Sequence, residues 1–145
     1  MNNNFVTKEP VQTLQVRFSV FEILFAVISE VNFKYGLVVG RGTEVSDALR
    51  ILIKDMPGCL VNVDNICFRA QMHKRISGAE ETVPVDIDSE TAGALRHITQ
   101  HLNDLFNFQE KITDVDVLEI MVARGARQLR QYFKSQYKQL RPYRF

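Results

Sequence analysis

The side chains best suited to chemistry in this chain are cations. Arg124, Arg127, Arg130, Lys134, Lys138 and Arg141 recur every three or four residues, so they share one face of a helix. No acidic residue follows Glu119, whereas the stretch from Glu80 to Glu119 is acidic on balance. Solvated helix faces usually mix signs. An unmixed basic stripe is suited to an anionic partner, either DNA phosphates, with steep salt dependence, or an acidic protein. The alternative is the solvated side of an amphipathic helix whose opposite side carries Leu129, Phe133 and Leu140. The net charge of +1 hides this asymmetry and excludes a uniformly basic coat protein.

Other reactive types are present without the spacing that chemistry needs. His97 and His101 stand one helical turn apart, but no glutamate follows His97 and no third ligand is evident, so exposed histidines are expected rather than a metal site. Cys59 and Cys67 have no second pair, which fits buried thiols better than disulfides or zinc. Gly40-Arg41-Gly42 lacks the third glycine of a dinucleotide fingerprint, and no phosphate-binding Gly-Lys-Ser/Thr occurs. Nothing orders a Ser-His-Asp triad. The expectation is a protein that is not an enzyme and needs no cofactor.

The elements that must position the cations follow from periodicity. The 145 residues are 46% hydrophobic, enough for one small core, with no apolar run of membrane-spanning length and no secretory signal pattern, so a cytoplasmic location is expected. Residues 1–10 are polar and read as an arm. From Thr13 to Phe18 apolar and polar residues alternate, which predicts a strand burying Leu14, Val16 and Phe18. Ser19 is a candidate cap for a helix carrying Phe21, Leu24, Phe25, Ile28 and Val31, ended by Gly36. Thr43 is a candidate cap for a second helix with Val45, Ala48, Leu49 and Leu52, closed by Pro57-Gly58. Residues 59–80 read as a connector.

The same order then returns. Val83, Val85 and Ile87 alternate with Thr82, Pro84 and Asp86. Asp88 can cap a helix bearing Leu95, Ile98, Leu102, Leu105 and Phe106. Thr113 can cap a last helix running to about Leu140, with Val115, Leu118, Val122, Ala126, Leu129 and Phe133 along one stripe. Phe18 and Ile87 lie 69 positions apart, and Thr43 and Thr113 lie 70 apart. This near-constant spacing marks a tandem repeat, residues 11–58 and 81–145.

Strand, helix, loop, helix is the order of the ribbon–helix–helix family of Arc and MetJ type, and the chain resembles it twice. The junction Ile87-Asp88-Ser89-Glu90 carries the likeness best; Phe18-Ser19-Val20-Phe21 carries it more loosely. The resemblance implies a mainly α fold with a small antiparallel β-ribbon, the two units folding on each other as an intramolecular pseudo-dimer. Single-chain proteins of this kind include some that serve conjugation or T-DNA transfer. The implied partner is double-stranded DNA, with a role in transcription regulation or in a nucleoprotein complex on plasmid or mobile DNA, where other proteins of that complex are further implied partners. A pseudo-dimer that is monomeric in solution is also implied.

In that family outward ribbon side chains read the major groove. The matching positions are Thr13, Gln15 and Arg17 in the first repeat and Thr82 in the second, where Pro84 and Asp86 depart from the pattern. Phosphates would be anchored at the starts of the second helices, by Arg41 and Thr43 and by Lys111 and Thr113, with Arg124, Arg127, Arg130 and Lys134 in support. Asp114 and Asp116 oppose that role in the second repeat. A protein-interaction module that keeps the fold but has lost base reading is the competing expectation.

Overall fold

The computed structural model describes residues 11–34, 44–56, 58, 81–108 and 110–140. Within them the chain is mainly helical around one two-stranded antiparallel sheet. Strand β1, Val11–Arg17, leads directly into helix α1, Phe18–Lys34. Helix α2, Val45–Arg50, widens into a π-helical turn over Ile51–Asp55. Strand β2, Thr82–Asp88, leads into helix α3, Ser89–Phe106, and helix α4 spans Asp114–Leu140. The arm 1–10, Gly36, Thr43 and the whole of the connector 59–80 lie outside the described residues.

Period two sets the sheet. Leu14 and Val16 in β1, and Val85 and Ile87 in β2, turn to the core, while Thr13, Gln15, Thr82, Pro84 and Asp86 face out. The strands pair with Leu14 opposite Val85 and Arg17 opposite Thr82. Phe18 departs from the expected alternation. It opens α1 and is 47% exposed, because the backbone turns helical one residue before the pattern would bury it. Ser19 accordingly lies inside α1 and does not cap it. Asp88 does cap α3, its carboxylate accepting from the Thr91 amide at 2.7 Å.

Helix faces divide by burial. Val20, Leu24, Val27, Ile28 and Val31 of α1 meet the core, as do Thr91, Leu95, Thr99 and Leu102 of α3. Phe25 and Leu105, expected inside, are exposed. Asn107 ends α3 in the left-handed conformation at φ 49°, and Phe108 folds back into the core, so the turn after α3 holds one anchor. In α4 the stripe Leu118, Val122, Leu129 and Phe133 is buried, and Asp116 and Glu119 are buried with it.

The halves correspond closely. Leu14, Val16, Val20, Leu24, Ile28 and Val31 match Val85, Ile87, Thr91, Leu95, Thr99 and Leu102 at a constant spacing of 71. Ala48, Leu49, Ile51, Leu52 and Ile53 match Val117, Leu118, Ile120, Met121 and Val122 at a spacing of 69. The drop from 71 to 69 places two more residues in the first half's helix connection. The junction is therefore aligned two residues away from the pairing of Phe18 with Ile87: Arg17 corresponds to Asp88.

Candidate nucleic-acid and protein interface

The outward sheet face is where base reading was expected. Thr13, Gln15 and Thr82 are exposed there and bond across the ribbon. The Thr13 hydroxyl donates to Asp86 Oδ1 at 2.6 Å, and the Thr82 hydroxyl donates to Gln15 Oε1 at 3.1 Å. Both acceptors are already engaged, which reduces what this face offers to a ligand.

Arg17 is placed differently from the expectation. Its side chain is 12% exposed and turned to Glu119, which is fully buried at 0%. Its Nε donates to Glu119 Oε1 at 3.1 Å, and its amide donates to Oε2 at 2.9 Å. The carboxylate thus takes a charge-assisted bond and a backbone bond from one residue. The cause lies in position: Arg17 is the last strand residue, where α4 crosses β1. Among the described residues the outward ribbon face then has no exposed cation and one exposed carboxylate, Asp86, since Asp88 is spent on capping α3.

The starts of the second helices are closed by the chain's own carboxylates. In α2 the N-cap is Glu44, reciprocally bonded with Asp47 in a capping box. Arg41 and Thr43 lie outside the described residues. Before α4, Thr113 donates through its amide at 2.8 Å and its hydroxyl at 3.0 Å to Asp116 Oδ2, and accepts from the Asp116 amide at 3.2 Å. Thr113 is therefore a cap as expected, but the anion it serves is Asp116. Lys111 is exposed nearby, and Arg96 approaches Asp114 at 3.5 Å. A phosphate would have to displace these acids.

The basic stripe is real as a surface. Arg124, Arg127, Arg130 and Lys134 are exposed on α4. Arg130 is engaged by Glu30 of α1 at 2.8 Å. Glu30 lies twelve residues beyond Phe18, about 18 Å along α1 from the ribbon at the helical rise. Arg130 thus sits toward the far end of α1, while Arg124 stands five residues, about 7.5 Å, along α4 from Glu119 at the end of the ribbon. Side chains of Lys138 and Arg141 lie outside the described residues. His97 and His101 are exposed, and among the described residues no group of three metal-capable side chains forms. No described helix is long and apolar enough to cross a membrane.

Charge placement across the halves carries a relation that sequence reasoning missed. Arg17 corresponds to Asp88, and Glu119 corresponds to Arg50. Arg17 meets Glu119, while Asp88 feels Arg50 and Lys54: its carboxyl is held below the ordinary value chiefly by the Thr91 amide, with those cations adding. The corresponding ends therefore carry opposite polarity. The available signal was Glu119 itself, an acid inside the apolar run Val117–Val122.

α1 also exposes Phe18, Ile23, Phe25 and Phe33, the last at 90%. Phe25 stacks on the half-buried Phe21 at 5.9 Å. At the corresponding α3 positions stand Ser89, Ala94, Arg96 and Asp104. Comparison with family models, with curated proteins and with solved structures finds no match.

Proposed function

We propose that the chain is a single-chain ribbon–helix–helix pseudo-dimer that serves as a protein-interaction module and does not read bases through its ribbon. The pseudo-dimer is supported by the antiparallel pairing of β1 with β2 and by the crossed packing of β1 on α4 and β2 on α2. Linking two such units removes the association cost and lets the halves diverge. The observation that carries the functional reading is the commitment of Arg17 to Glu119. It leaves the outward face with Asp86 as its formal charge, facing what would be a phosphate-lined groove. The acid-capped starts of α2 and α4 act in the same direction, and the exposed phenylalanines of α1 supply a surface for protein.

A second reading, binding of double-stranded DNA as a regulator or accessory factor on plasmid or mobile DNA in the cytoplasm, draws on the exposed Arg124 and Arg127 and on Thr13 and Gln15. Fluorescence anisotropy against duplex DNA at low and high salt separates the two. The interaction module shows only weak, non-specific binding that vanishes with salt and is insensitive to Gln15→Ala. A duplex whose affinity drops by about 1–3 kcal/mol on Gln15→Ala would restore the ribbon as a reader.

A further inference from the structure

A groove of about 310 Å³ runs between the start of β1 and the outer face of α3, lined by Val11, Gln12, Ser89, Ala92, Gly93 and Arg96. At the corresponding place in the first half, Ser89, Ala92, Gly93 and Arg96 become Phe18, Phe21, Glu22 and Phe25. Phe18, Phe21 and Glu22 in one half thus stand where the smaller Ser89, Ala92 and Gly93 leave space in the other, and Phe25 stands where Arg96 does. Gly93 is a further sign. It lies inside a helix, where glycine is less favourable than alanine by about 0.5–1 kcal/mol, yet a Cβ there would meet nothing within 4 Å. Steric demand within this chain does not require the glycine, and the space above it is open. Val11, 59% exposed, adds an apolar wall.

We infer that the occupant of this groove is the α1 face of a second copy of the chain. The exposed stripe Phe18, Phe25 and Phe33 is large where the groove is small. Glu22 stands on that stripe between Phe18 and Phe25, and Arg96 stands at the groove, 3.5 Å from Asp114 yet with its side chain 61% exposed and further guanidinium donors to offer, so the charges are complementary as well as the shapes. Stripe and groove are different surfaces of one molecule, so the contact is head to tail and each copy added leaves a new stripe and a new groove. The inference rests on the reading of α1 as an interaction surface and is independent of whether DNA is bound.

Sedimentation velocity on the full chain over a wide concentration range tests it. The wild type grows in mass with concentration without stopping at a fixed stoichiometry. Gly93→Leu fills the groove and Phe25→Ser with Phe33→Ser removes the stripe; each variant is monomeric with an unchanged circular dichroism spectrum. Mixing the two gives a one-to-one complex and nothing larger, because only one competent stripe and one competent groove remain. Glu22→Arg weakens association, and Arg96→Glu added to it restores association. A wild type that is monomeric throughout overturns the inference and leaves the face to another segment or another protein. Self-association of Gly93→Leu equal to wild type overturns it too, since the stripe would then meet some other surface.

Discussion

Removing the guanidinium of Arg17 takes from the buried Glu119 its charge-assisted bond and leaves the bond from the residue 17 amide, and a buried pair that loses one partner costs about 3–5 kcal/mol. Arg17→Ala should lower the urea midpoint accordingly, and the pair of apolar replacements Arg17→Met with Glu119→Leu should recover most of the loss. A base-reading arginine would instead leave the midpoint alone and change only affinity. Asp88 makes the corresponding prediction in pH. Its folded carboxyl lies below the ordinary value of 3.8, so the stability it carries is complete above that value and is lost as pH falls through the lowered one. Asp88→Asn retains a capping side chain, so stability near neutrality should stay within about 1 kcal/mol of wild type. The acid limb of a stability-against-pH curve should be shallower in that variant. An unchanged acid limb would place the acid sensitivity elsewhere.

At the scale of elements, the alternation of Leu14, Val16, Val85 and Ile87 was legible because only a half-buried strand needs period two. The Asp88 and Thr113 caps were legible from residue type, and the reach of α4 to Leu140 from its long stripe. The start of α1 was not legible. Phe18 and Phe25 are apolar, and hydrophobicity alone does not distinguish a core side chain from one left outside. Buried Glu119 was hidden for the opposite reason, since its compensation comes from Arg17, 102 positions away. The candidate site shifted with these two misplacements. Asn107 offers an element-level test. Its positive φ is tolerated by asparagine and glycine and strained for other side chains. Asn107→Ala should cost about 1 kcal/mol while Asn107→Gly is close to neutral. Thermal melts of the two variants that coincide would mean the turn relaxes freely.

On the proposed pseudo-dimer reading, the molecule as a whole joins two units that are alike in core and opposite in polarity where they cross. If a unit paired with a copy of itself, Arg17 would meet Arg50, and Asp88 would meet Glu119. Only the mixed pairing brings unlike charges together at both ends. Such repulsion against the wrong partner is how related surfaces keep their choice. Reversing one end as a unit, Arg17→Glu with Glu119→Arg, preserves the attraction between the side chains but loses the bond that Glu119 takes from the residue 17 amide, so the doubly reversed protein should stay folded and recover part of what each single reversal loses. Each single reversal puts like charges together at a buried site and should lose at least the 3–5 kcal/mol or so of a broken pair. Unfolding should remain one cooperative transition in the double variant, because Leu14, Leu49, Leu95 and Leu118 from both halves fill one core. Coincident urea curves from far-ultraviolet dichroism and tyrosine fluorescence are the check. Two separated transitions would mean that the halves hold together by tether alone, and the opposed polarity would then have nothing to select.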